Sequence, residues 1–246
     1  MSARALIVIV FFLGIAFRSG AADLAELEGV RKRVDALLPE LRSGLAIERI
    51  KETPVAGLYE VLLNGNRTLY MSADGNYFLV GDMYEVSSEG IFNLPELARQ
   101  EKRKELMAKV DATSMISFKP ASGLLATVSV FTDVDCTYCR KLHREMRQYH
   151  KKGIEVRYLA YPRAGIGSES YKKTVSAWCS SDPQRAITTL KRGDNIPSRT
   201  CPNPVAAQYE LGGRVGVTGT PSIVLSDGRM LPGYLSAEKL AEELGI

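Results

Sequence analysis

The run FTDVDCTYCRKLHREM, residues 131–146, restricts the fold more than any other part of the chain. It follows the apolar, β-branched segment LLATVSVFTDV, which reads as a buried strand, and it leads into a segment that reads as a helix ending at Gly153. Cys136 and Cys139 therefore stand two residues apart where a strand hands over to a helix. A disulfide between them would close almost no loop and stabilise little, so the spacing favours redox chemistry over scaffolding. Zinc held by Cys136, Cys139 and His143 would need a fourth ligand or a water, and the one other histidine is His150. Covalent haem would need histidine at position 140, which is Arg140. No cofactor or metal is expected.

At the first turn of that helix, the Cys136 sulfur can approach backbone N–H groups that lack intrahelical partners, and the helix dipole adds positive potential. Both favour the thiolate and so raise reactivity. Cys139, one turn further in, is expected to be more buried and less ionised. The expected pair is an exposed attacker and a sheltered resolver that releases the trapped mixed disulfide. Thr137 and Tyr138 between them would tune potential and touch substrate. His143 and His150 on the same helix read as solvated or packed rather than catalytic.

The rest of the C-terminal half fits around this site. IEVRYLAYP is a second strand, residues 167 to 215 are mostly helical, TGTPSIVLSDGRMLPGYL gives two strands about Asp227-Gly228, and SAEKLAEELGI closes as an amphipathic helix capped by Ser236. The order β-α-β, helical insertion, β-β-α is that of a thioredoxin fold. In GVTGTPSIV, Pro221 directly precedes an apolar strand whose ladder it cannot join as a donor. A thioredoxin fold places a cis proline there, opposite the CxxC, with Thr220 backbone groups free for an extended substrate; an ordinary trans turn proline is the alternative. Cys179 and Cys201 have no CxxC partner. A structural disulfide between them would stabilise the domain by roughly 3 kcal/mol through loop closure; a second redox pair is the other reading.

Residues 1–22 carry Arg4, then an apolar run from Ala5 to Phe17, then small residues, which is the three-part pattern of a secretory signal. Cleavage after Ala22 is the first choice and after Ala21 the second, with an uncleaved anchor as the alternative; the apolar run is short for a membrane span. This segment holds two arginines and no acid, which leaves 30 basic and 28 acidic residues in the mature chain, net +2. So balanced a chain, with no basic stripe, excludes a nucleic-acid binder. Export permits stable disulfides.

Between the signal and the CxxC domain, Leu24, Leu27, Val30, Val34 and Leu37 recur at helical spacing. A strand-like meander of four or five segments follows, with turn signals at Thr53-Pro54, Asn64-Gly65-Asn66, Asp74-Gly75 and Gly81-Asp82. This region has no cysteine or histidine, and its expected roles are packing, dimerisation or partner binding. NLPELARQEKRKELMAKV reads as a helix capped by Asn93. Its charge fits an exposed helix joining two domains, with a helix lying on one of them as the alternative.

Taken together, VFTDVDCTYCRKLH, VRYLAYPR, the spaced Cys179 and Cys201, and GVTGTPSIVLSDG followed by LPGY resemble the bacterial periplasmic disulfide isomerases of the DsbC/DsbG type, over nearly the whole mature sequence. The resemblance implies an α+β chain with a cystatin-like N-terminal dimerisation domain (residues 23–88), a linker helix region (89–120) and a thioredoxin-like catalytic domain with a helical insertion (121–246). It implies Cys136 as nucleophile, Cys139 as resolving cysteine, Thr220-Pro221 as the cis-proline loop and Cys179–Cys201 as a structural bridge. It further implies a V-shaped homodimer, misoxidised exported proteins as substrates, and a DsbD-type membrane reductase that keeps the CxxC reduced. One departure bears on redox potential and substrate preference: Thr137 stands where DsbC-type proteins have glycine and DsbG-type proteins proline. The expected activity is rearrangement of incorrect disulfides, with or without chaperone activity. The rivals are a holdase or a reductase of oxidised single cysteines, and a DsbA-type oxidase, against which the N-terminal meander argues.

Overall fold

The computed structural model of the chain describes residues 20–41, 43–64 and 67–246. The expected signal segment lies outside the described residues apart from the backbone of residues 20–22, and so do Gly65 and Asn66 of one expected turn. The chain divides into two compact units between Gly81 and Asp82.

In the first unit, helix α1 (Gly20–Leu41) packs on an antiparallel sheet of β1 (Ile47–Glu52), β2 (Leu58–Leu63), β3 (Arg67–Ser72) and β4 (Phe78–Val80), in that order. Val30, Val34 and Leu38 of α1 bury against Tyr59, Val61 and Leu63 of β2 and Leu69 and Met71 of β3. The strand residues alternate, so one face of the sheet takes the helix. Leu24, the first residue of the apolar periodicity, stays exposed, and Leu38 joins the buried stripe. On the opposite face Glu60 is buried beside Lys51 and Arg49, at 3.2 and 3.8 Å. Strand β4 is the sheet edge, and its side chains are all exposed.

The second unit opens with a hairpin of β5 (Tyr84–Ser87) and β6 (Gly90–Asn93) that runs into helix α2 (Leu94–Ala108). Asn93 caps α2 by accepting from the Glu96 N–H at 2.9 Å. The charged α2 is not a free connecting rod. Arg103 is buried and donates to the carbonyls of Val215 (2.9 Å) and Gly228 (2.7 Å), and Gln100 donates to Asp227 O. The close approach leaves room only for glycine at 228: a Cβ there would lie 2.3 Å from Gln100 O, and φ is +89°. The reading of α2 as an exposed connector is thereby corrected; its aliphatic and guanidinium groups find partners on its own unit, which charge counting along a helix does not reveal.

The central sheet has the order β11 (Met230–Pro232), β10 (Ser222–Val224), β8 (Ala126–Thr132), β9 (Ile154–Ala160), β7 (Ile116–Phe118). Strands β8 and β9 are parallel and the other pairs antiparallel. Helices cover both faces. Val128, Val130, Val156 and Ile223 pack with Leu142, Tyr149, Ile187 and Leu240 on one side, while Phe131, Leu159 and Val224 pack with Leu211 and Val215 on the other. Burial on both faces is why these strands read as near-continuous apolar runs. The segment after the CxxC forms two helices, α3 (Thr137–Arg144) and α4 (Met146–Lys151), rather than one. The break falls at Glu145 (φ −92°, ψ 10°), whose carboxylate accepts from Tyr234 Oη at 2.5 Å. Helices α5 (Glu169–Trp178), α6 (Pro183–Arg192) and α7 (Val205–Val215) form the insertion, and α8 (Ala237–Leu244) closes the chain.

Candidate active site

Register brings the site together. Strand β10 pairs antiparallel with β8, with Ser222 opposite Phe131. The turn before β10 therefore sits beside the loop that leaves β8 and enters α3. Thr220–Pro221 is a cis peptide bond in that turn, and Cys136 is the N-cap residue of α3. In its thiol form Cys136 donates to Thr220 O at 3.2 Å. This loop covers the sulfur, so Cys136 is only 3% exposed and Cys139 1%. The expected exposed attacker is thus corrected: the two cysteines do not differ in exposed area but in what surrounds each sulfur.

That difference is large. The Cys136 sulfur is stabilised as a thiolate first by the Cys139 thiol, which donates to it, then by Thr220 and the backbone N–H groups of Cys139 and Tyr138. These outweigh desolvation and bring its pKa down to about 5. Cys139 is pushed up by burial and by its bond to Cys136. The pair holds one ionised and one protonated sulfur around neutral pH, with the proton on Cys139. Arg140 braces the loop by donating to Val134 O at 2.9 Å and pairing with Asp135 at 3.0 Å, and Lys173 also reaches Asp135.

Thr137 and Tyr138 point outward beside the pair, Tyr138 with 61% of its surface exposed. His143 is buried, with Nδ1 3.1 Å from Tyr158 Oη and Nε2 3.0 Å from Thr188 Oγ1, and burial drives its pKa down to about 3. Both ring nitrogens are engaged away from the cysteines, so the Cys136, Cys139, His143 set does not assemble into a metal site. Cys179 and Cys201 are joined by a disulfide, at the end of α5 and in the segment before α7. The neighbouring Trp178 donates to Ser114 O at 3.0 Å.

Sequence reasoning missed one feature. Lys191 of α6 is 2% exposed and donates to Thr132 Oγ1 at 2.8 Å, beneath the CxxC. In sequence it is one of two basic residues in the last turn of a polar helix, a pattern that ordinarily marks a solvated end.

Residues 19–96 match the family described as "Disulfide bond isomerase protein N-terminal domain", and residues 114–245 match "Thioredoxin-like domain". The chain is 39% identical over 210 residues to thiol:disulfide interchange protein DsbC of Dickeya dadantii, covering 85% of each. It is 35% identical over 225 residues to thiol:disulfide interchange protein DsbC of Escherichia coli K12, covering 90% of this chain and 92% of that one. Among solved structures, a disulfide interchange protein from Neisseria gonorrhoeae matches with a TM-score of 0.49 and 28% identity, over 55% of this chain and 97% of that one.

Proposed function

We propose, for a chain that belongs to the DsbC family of thiol:disulfide interchange proteins and is a disulfide isomerase, that Cys136 is the attacking and Cys139 the resolving cysteine. The observation that carries this assignment is the opposite bias on the two sulfurs: Cys136 down to about 5, Cys139 upward. The Cys136 thiolate attacks one sulfur of a wrong substrate disulfide. A Cys136–substrate disulfide forms, the substrate S–S bond breaks, and the other substrate sulfur leaves as thiolate. That thiolate can attack elsewhere in the substrate and finally displace Cys136, which completes an isomerisation with no net redox change. When this stalls, Cys139 loses its proton and attacks Cys136, forming the Cys136–Cys139 disulfide and freeing the reduced substrate. Ionisation of Cys136 also frees Thr220 O, so that the Thr220–Pro221 loop can receive an extended substrate backbone, with Thr137 and Tyr138 touching its side chains. Cys179–Cys201 holds the insertion together and takes no part in the exchange.

The proposal extends to the setting. Residues 1–22 direct export to the periplasm, residues 23–88 mediate homodimerisation, residues 89–120 join the two parts of the chain with α2 held against the catalytic unit, and residues 121–246 catalyse. Exposed Leu79 and Val80 on the β4 edge support pairing of two copies there, since an unpaired edge strand is a ready template for a second chain. Two catalytic units on one misfolded client raise the effective thiol concentration and can add chaperone activity. The clients are misoxidised exported proteins, and a DsbD-type reductase returns the Cys136–Cys139 disulfide to thiols. Among the described residues no helix is long and apolar enough to cross a membrane. The test is recovery of a scrambled multi-disulfide protein: catalytic amounts of the reduced protein should restore its activity, and the Cys136→Ser variant should not.

A further inference from the structure

A second route, besides the contact of Cys136 with Thr220, joins the helix of the CxxC to the loop that faces it. Strand β11 pairs with β10 so that Pro232 lies opposite Ser222. One residue beyond that ladder, the Gly233 N–H donates to Pro221 O at 2.8 Å. Gly233, at φ +83°, turns the chain out of β11, and the next residue, Tyr234, reaches back to α3. Its hydroxyl donates to the Glu145 carboxylate at 2.5 Å, and the Lys141 ammonium lies 4.2 Å from the centre of its ring. Lys141 and Glu145 stand four residues apart on one helix face, Glu145 at the break between α3 and α4. Leu235 O accepts from the Tyr149 hydroxyl of α4. Gly233, Tyr234 and Leu235 thus form a strap from Pro221 to the helices of the CxxC.

We propose that Tyr234 is a positioning residue for disulfide exchange: bonded to Glu145, it holds the Thr220–Pro221 loop at a fixed distance from Cys136 once the thiol has given up its bond to Thr220 O. The proposal rests on the reading of Cys136 as the attacking thiolate and of that loop as the receiver of substrate backbone. In the thiol form Cys136 secures the loop itself, by donating to Thr220 O at 3.2 Å. The thiolate has no proton to donate, so this bond is lost in the reactive state, when the loop has to be in place. Two restraints then remain. The pairing of β10 with β8 begins at Ser222 and fixes the chain from there onward. The strap acts one residue earlier, on Pro221 itself. A phenol bonded to a carboxylate is charge-assisted and directional, which suits it to fixing a distance.

The strap stands apart from the chemistry of the sulfur. Among the described residues, Tyr234 bonds Glu145 and meets Lys141, and neither cysteine is a partner. The groups that favour the Cys136 thiolate are the Cys139 thiol, Thr220 and the backbone N–H groups of Cys139 and Tyr138. Loss of the strap therefore leaves Cys136 ionised and open to a small reagent, which needs no loop. It impairs a substrate whose backbone lies along Thr220, because that backbone moves with the loop and carries its disulfide out of line with the attacking sulfur. The loss falls on the rate of attack by bound substrate more than on binding, since the Thr220 backbone groups are still there to be met.

The test is stopped-flow reaction of the full-length reduced protein at pH 8, where Cys136 is ionised, with iodoacetamide and, separately, with an extended fluorogenic peptide disulfide at varied concentration. In Tyr234→Phe the limiting rate of attack on the peptide should fall by roughly tenfold, while the half-saturating peptide concentration and the alkylation rate each stay within about twofold. Glu145→Leu should match it. Glu145→Gln keeps an acceptor for the phenol and should restore most of the peptide rate. The double variant Tyr234→Phe with Glu145→Leu should be no slower than either single, because both remove one bond. A Tyr234→Phe protein that attacks the peptide at the wild-type rate overturns the proposal, and so does one that loses peptide and iodoacetamide reactivity in equal proportion. Should Tyr234→Phe fail to fold, the Glu145→Leu and Glu145→Gln pair decides alone. Alkylation of the wild-type protein at Cys139 in place of Cys136 would instead overturn the assignment of the attacking cysteine.

Discussion

The sulfur of Cys136 lies 3.2 Å from the carbonyl oxygen of Thr220, a residue 84 positions later in the chain. Strand pairing alone produces this contact, because β10 begins opposite the end of β8. The same contact hides the nucleophile and prepares it. It covers the sulfur with the loop that is to bind substrate, and Thr220 adds to the lowering of the Cys136 pKa.

Cys136 should react with an alkylating reagent at a rate that climbs with pH and is half-maximal near pH 5, where its pKa lies, far below the roughly 8.5 of a free cysteine. The folded value is depressed, so the stability it contributes is present above the unfolded pKa and disappears as pH falls through about 5. Urea unfolding of the reduced protein against Cys136→Ala checks the second point: the difference between them should shrink steadily from pH 9 to pH 5.

Replacing both Cys179 and Cys201 with alanine should destabilise the catalytic unit by about 3 kcal/mol, from the loop the bridge closes. Reduction of a small disulfide should be largely kept. Unchanged stability with lost activity would instead make the pair a second redox centre.

Arg103→Met should cost about 2 to 3 kcal/mol in urea unfolding, since two buried carbonyls, Val215 O and Gly228 O, lose their donor. The CxxC chemistry should be largely kept, because the Arg103 guanidinium bonds Val215 O, Gly228 O and Glu96 and neither cysteine.

These sites differ in how far they could be read beforehand. The CxxC, the proline before β10 and the β-α-β order are local signals: spacing, ring chemistry and periodicity fix them without knowledge of packing. What was hidden depends on neighbours distant in sequence. Lys191 looks like a solvated helix end until α6 is laid under β8, and Arg103 looks like one charge among many until the carbonyls of Val215 and Gly228 meet it. The exposure expected for Cys136 follows from its place at a helix start and overlooks the Thr220 loop that covers it. The break at Glu145 carries no proline or glycine to announce it.

Changing Leu79 and Val80 together to aspartate should leave the first unit folded, since both side chains are exposed, while placing charge on the β4 edge. Sedimentation should then report a monomer where the parent is a dimer. The variant should reduce a small disulfide as well as the parent and recover scrambled ribonuclease poorly. A parent that sediments as a monomer would contradict the assigned interface.

The division of roles between Cys136 and Cys139 is the claim on which the rest depends, and covalent trapping measures it directly. Full-length Cys139→Ser and Cys136→Ser are each mixed in reduced form with an unfolded disulfide-containing client, quenched with an alkylating agent, and analysed by non-reducing mass spectrometry. The account predicts that Cys139→Ser accumulates a client joined through Cys136 and that Cys136→Ser forms no such complex. A complex through Cys139 in the Cys136→Ser protein, formed as readily as the other, would contradict it.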